Sequence, residues 1–114
     1  MLRLGTIRRE VRWSEAGITL TLAPLPEDVH QRLVEETTVE VRDAKGLLER
    51  IRRDAASYAQ GVGLETIKDW SGVVDEQGKP VACTPEAIRE FMLIEPAQEW
   101  VLGQVRGLAL YLEQ

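Results

Sequence analysis

Two stretches near the start of the chain alternate between apolar and polar residues with a period of two. In the first, Ile7, Val11 and Trp13 fall on one side and Arg8, Glu10 and Arg12 on the other, with Arg9 breaking the apolar face. In the second, Ile18, Leu20 and Leu22 oppose Thr19 and Thr21. Four turn-prone residues, Ser14-Glu15-Ala16-Gly17, separate them, so the pattern predicts a β-hairpin. A lone hairpin is marginal in water, and its apolar face needs a cover of helices or a partner.

After Pro24 the period lengthens to three and four. Pro24 and Pro26 end the second strand, and Glu27-Asp28 put negative charge where a helix start favours it. A helix is predicted over residues 26 to about 37, with Val29, Leu33 and Val34 inward. Thr38-Val39-Glu40-Val41-Arg42 fits either a short third strand or an extended link. From Asp43, Leu47, Leu48, Ile51, Ala55, Tyr58 and Val62 recur at helical steps and predict one long helix. Gly61 and Gly63 weaken it by about 1 kcal/mol each relative to Ala. A kink or break is expected there, then a turn or two through residues 64–70.

A loop follows, and Thr84 with Pro85 marks the start of a short helix with Ile88, Phe91 and Met92 on one side. Pro96 opens the last helix. Val101, Val105, Leu108 and Leu112 form its stripe, widened by Trp100, Leu102, Ala109 and Tyr111. So wide an apolar surface implies burial on more than one side. The expected fold class is α+β, mainly α: an N-terminal β-hairpin packed on four to five helices. One domain is expected over residues 1–114, with a β-hairpin region at 1–25 and a helical region at 26–114 that contains a loop at 70–84.

Composition adds limits more than direction. Of 114 residues, 44% are apolar and 29% charged, as in a soluble globular protein and unlike a disordered one. A formal net charge of −5 argues against a nucleic-acid partner, which needs a basic surface. Residues 1–13 hold four Arg against one Glu, whereas residues 74–114 hold seven acidic residues against three basic ones. The simplest reading is solvated faces of mixed sign. Cys83 is the sole cysteine, so no internal disulfide forms, and a reducing cytoplasm fits best. The N-terminus is broken by charge before a signal-peptide core could form, and no apolar run approaches the roughly 18 residues that span a bilayer.

The search for catalytic chemistry returns little. His30 is the only histidine, so a His-based metal cluster is ruled out. Cys83 and His30 could formally make a nucleophile and base, but no motif surrounds the cysteine, which reads as a small apolar residue before a helix cap. The carboxylate pairs Glu27-Asp28, Glu35-Glu36 and Asp75-Glu76 are adjacent in sequence and read as solvated. Asp75-Glu76-Gln77-Gly78 is too short for a calcium loop, and Gly61-Val62-Gly63 lacks the residues of a phosphate cradle. The basic run Arg50, Arg52, Arg53 reads as a solvated face. No catalytic, cofactor-binding or metal site is expected, and the chain is expected not to be an enzyme.

One stretch, residues 67–88, is dense in specified geometry. It joins a Trp70-Ser71-Gly72 corner, an Asp75-Glu76-Gln77-Gly78 turn, a Lys79-Pro80-Val81 arm and the Thr84-Pro85-Glu86 helix start. Gly72 and Gly78 can take positive φ cheaply, and Pro80 holds the exit extended. The order Ile67, Trp70, Gly72, Val73, Asp75, Gly78, Pro80, then Thr84, Pro85 and Glu86, resembles the C-terminal half of small tail assembly chaperones of tailed bacteriophages and prophages. The resemblance covers residues 43–114 well and the hairpin loosely.

That resemblance implies a non-enzymatic protein of the bacterial host cytoplasm. It would bind the tape-measure protein, keep that long helical chain soluble, and help the tail tube protein polymerise around it. The tube protein and a second copy of the chain are further partners it leaves open; nucleic acid and membrane are not expected. Such a chaperone needs an apolar groove with a charged rim to receive amphipathic helices. The stripes over residues 47–58 and 100–112 are the candidates to line it. The expected partner-binding residues are Trp70, Trp100, Val101, Val105, Leu108 and Leu112. The competing reading is a small prophage structural or adaptor subunit, for head–tail joining or tail completion, retained in the virion.

Overall fold

The computed structural model describes residues 8–113, apart from the side chains of residues 49–53 and 108–113; Ile7 lies outside the described residues. Strands β1 (Arg9–Trp13) and β2 (Ile18–Leu22) form the antiparallel hairpin, with Val11 opposite Leu20 and Trp13 opposite Ile18. The turn is closed by the Ala16 and Gly17 amides, which donate to the Trp13 and Ser14 carbonyls, with Gly17 at φ 69°. Helix α1 (Glu27–Thr37) starts after Pro26 with Glu27 and Asp28 in its first turn. Leu33 is its buried anchor, and Val29 and Val34 are half-buried.

The segment that follows departs from the expected long helix. Strands β3 (Thr38–Arg42) and β4 (Leu48–Arg53) pair antiparallel as a separate two-stranded ribbon. A local turn decides it. The Asp43 carboxylate accepts from the Lys45 and Leu47 amides, and Gly46 sits at φ 80°, a conformation no helix contains. The ribbon leaves α1 without a loop, and the Asp54 amide donates to the Thr37 carbonyl at its base, 2.6 Å. Among the described residues it adds none to the core, and Leu47 and Leu48 are exposed.

Helix α2 (Ala55–Thr66) therefore begins at Asp54, whose side chain accepts from the Ser57 amide and hydroxyl. It runs through Gly61 and Gly63 without the expected break. Both glycines are contact points. A Cβ on Gly61 would lie 2.5 Å from Leu33 Cδ2 of α1, and one on Gly63 would lie 2.5 Å from Met92 Cγ. The absence of side chains lets neighbouring elements approach the helix, and that packing offsets the propensity cost.

Residues 67–70, expected to be helical, lie instead in strand β5 (Ile67–Ser71), which pairs antiparallel with β2 and gives the sheet order β1-β2-β5. This pairing satisfies the second edge of β2, so Leu20 and Leu22 on the central strand are wholly enclosed. Helix α3 (Pro85–Phe91) starts as expected, with the Thr84 hydroxyl accepting from the Ala87 amide. Helix α4 (Glu95–Glu113) follows after a short turn.

Leu20, Leu22, Leu33, Val62, Ile67, Ile88, Phe91, Met92, Val101 and Val105 meet in one core between the sheet and the helices. The architecture is α+β and mainly α, with four helices among the described residues. No helix among them is long and apolar enough to cross a membrane.

Candidate partner-binding site

The loop between β5 and α3 is held at both ends. Gly72, at φ 86°, lies so close to the β1–β2 turn that a Cβ there would overlap the Gly17 carbonyl oxygen. Beyond it, the Asp75 Oδ1 accepts from the Gln77 and Lys79 amides, both at 2.9 Å. The Gly78 amide donates to the Asp75 carbonyl with Gly78 at φ 76°, and the Val81 amide donates to the Val73 carbonyl at 2.9 Å. Val74 and Pro80 face one another across this small hairpin. The turn residues thus do what their chemistry suggests, and Asp75 is engaged in shaping the loop.

Trp70 pins the loop to the body. Its Nε1–H donates to the Val81 carbonyl at 2.8 Å, and its ring packs tilted on Phe91 with centroids 5.3 Å apart. Cys83 is half-buried nearby; burial, and then the charge of Asp69, push its thiol above the ordinary value.

Between this loop and α3 runs a groove of about 250 Å³. Val73, Val74, Val81, Ala87, Phe91 and Ile94 supply its apolar surface, and among the described residues its charged lining is Asp75, Glu76 and Glu90. Val74 is 54% exposed and Ile94 55%, and neighbouring Leu93 is 56% exposed. The α3–α4 turn explains the last two. Phe91 and Met92 face the core, so the next two side chains must turn outward. The turn is fixed by the Leu93 and Ile94 amides on the Glu90 and Phe91 carbonyls and by Gln98 Nε2 on the Met92 carbonyl.

Of the residues expected to bind a partner, the four whose side chains are described are placed as follows. Val101 and Val105 are core residues, 0% and 7% exposed. Trp100 is half-buried under Trp13, its ring stacked at 5.2 Å. Leu108 and Leu112 lie outside the described side chains. Trp70 borders the groove through Phe91 but is committed to the loop. The groove residues Val74, Glu76, Glu90 and Ile94 were missed, since a valine in a turn-rich loop and an isoleucine off the helical stripe carry no periodic signal.

A larger cleft of about 520 Å³ lies among α1, α2 and α4, with Leu25, Val62, Leu102 and Val105 among its walls. His30 Nε2 and the Tyr58 hydroxyl are 3.0 Å apart in it, so the only histidine is engaged with a phenol. Among the described residues no group of three or more His, Cys, Asp or Glu is placed to hold a metal ion. What the geometry can do chemically is bind apolar surface beside acidic charge. No protein-family model matches this chain, and neither the curated proteins nor the solved structures include a significant match.

Proposed function

We propose that this chain is a non-enzymatic tail assembly chaperone of a tailed phage or prophage, acting in the host cytoplasm to keep the tape-measure protein soluble while the tail tube forms. The reading rests on the resemblance over residues 67–86. The observation that carries it further is the groove beside that same motif. A chaperone for a long amphipathic chain must show apolar surface to solvent, yet stay soluble through charge around it. Val74 and Ile94 supply the first, and Glu76 and Glu90 the second. The binding surface is therefore placed at the loop–α3 groove, since Val101 and Val105 of the α4 stripe are buried.

Co-expression with a tape-measure protein, sought as a long helical reading frame beside the gene, tests this. The wild-type chain is expected to raise the soluble fraction of that protein, and Val74→Asp with Ile94→Asp to abolish the effect while leaving the chain folded. Mass spectrometry of purified particles is expected to find the chain absent. Its presence at stoichiometric level would favour the structural-subunit reading.

A further inference from the structure

We infer that the loop–α3 groove selects amphipathic helical segments whose apolar stripe is flanked by lysine or arginine; this deepens, and rests on, the chaperone reading. The argument is charge complementarity around an apolar floor. Among the described residues, every charged side chain lining the groove is acidic: Asp75 and Glu76 on the loop, Glu90 on α3. Asp75 spends one oxygen on the Gln77 and Lys79 amides, whereas Glu76 and Glu90 make no ion pair with a described residue. They stand on opposite walls, one on the loop and one on the helix. A segment lying between them meets carboxylates on both flanks while its apolar side chains reach Val74, Phe91 and Ile94.

The volume, about 250 Å³, suits a few side chains and not a whole helix. The occupant is therefore a helix lying on the groove and inserting residues spaced three and four apart. A flank of Glu or Asp on that helix would face Glu76 and Glu90 across an apolar floor, where like charges are unfavourable. A flank of Lys or Arg would complete two ion pairs and keep its aliphatic stems on the floor.

Fluorescence anisotropy with two labelled synthetic helical peptides of about 18 residues tests the inference. Both carry Leu at i, i+3, i+4 and i+7; one has Lys at the flanking positions and its twin has Glu. The Lys peptide is expected to bind the wild-type chain roughly tenfold tighter than the Glu twin, from two exposed pairs and the removal of like-charge contacts. In the E76Q/E90Q variant, which replaces exposed groups isosterically, the gap is expected to shrink to about threefold or less. Equal affinity of the two peptides, binding of neither, or an undiminished gap in E76Q/E90Q would overturn the inference.

Co-expression separates this from the parent reading. If Ile94→Asp abolishes solubilisation of the tape-measure protein but E76Q/E90Q leaves it intact, the chaperone stands and the cationic preference falls. If the Lys peptide is preferred but the wild-type chain solubilises nothing, the preference stands and the chaperone falls.

Discussion

The indole of Trp13 on β1 lies stacked on that of Trp100 on α4, with centroids 5.2 Å apart and planes 12° from parallel. The two residues are far apart in sequence and join the N-terminal hairpin to the C-terminal helix. A hairpin alone is marginal, and this contact adds to the β5 pairing and the burial of Leu20 and Leu22 that hold it to the body.

Trp100→Ala is expected to cost about 2–3 kcal/mol, less than a fully enclosed tryptophan because the ring is half-buried. In a double-mutant cycle with Trp13→Ala, the coupling is expected to be about 1 kcal/mol, the surplus of an aromatic pair over its buried area. Urea denaturation checks both values. Strict additivity would mean that the stack contributes nothing beyond burial.

Replacing glycine by alanine in a helix ordinarily stabilises it, and here one substitution is expected to have opposite signs at two sites. At Gly103, exposed on α4 with nothing near the new methyl group, a gain of about 0.5–1 kcal/mol is expected. At Gly63 the methyl group would meet Met92, which is itself enclosed, and a loss of about 1–3 kcal/mol is expected. Met92→Ala should then cost less in the Gly63→Ala background than alone. Thermal melts of the four variants decide it.

The β3–β4 ribbon packs mainly on itself, and the Arg42 side chain at its far end makes exposed contacts to Glu40 and the Gly46 carbonyl. Exposed pairs of this kind contribute little. Limited trypsin digestion is therefore expected to cut first after Arg42 or Lys45, giving two fragments identifiable by mass, while the helical Arg32 and Arg89 are spared. A first cut at Arg89 would mean that α3 opens before the ribbon.

Cys83 provides a pH signature. Burial, reinforced by Asp69, raises its thiol above the ordinary value, so the folded state holds the proton more tightly than the unfolded chain does. The associated stability is complete below the unfolded thiol pKa and is lost as pH rises through the folded one. Alkylation by iodoacetamide at pH 8 is expected to be slower than for a free thiol, and Cys83→Ala to flatten the alkaline decline in stability. Alkylation as fast as a model thiol would contradict the assigned environment.

Legibility in the chain followed the range of the signals. The hairpin, α1, the Thr84 cap and the positive φ of Gly72 and Gly78 rest on neighbouring residues and were readable. Residues 43–53 were misread because Leu47, Leu48 and Ile51 happen to continue the spacing of Ala55 and Tyr58. The local cue was the Asp43-to-Gly46 turn, which was outweighed by periodicity. Strand β5 was hidden for another reason: its partner β2 lies far away in sequence, and no local pattern records that pairing. The groove was hidden likewise, since the outward turn of Val74 and Ile94 is a tertiary fact.

Gly72 and Gly78 isolate how the motif loop is held. Both sit at positive φ, 86° and 76°, so alanine at either bears a similar backbone penalty of about 1–2 kcal/mol. Their surroundings differ. A Cβ on Gly78 meets nothing within 4 Å, whereas one on Gly72 collides with the backbone of Gly17, which cannot swing away as a side chain can. Gly78→Ala is therefore expected to cost about 1 kcal/mol, and Gly72→Ala about 3 kcal/mol or more. The difference measures the contact between the loop and the β1–β2 turn, because the conformational cost is common to both. If the two substitutions cost the same, the loop is not seated on the hairpin. The groove wall formed by Val73, Val74 and Val81 would then need some anchor other than Gly72.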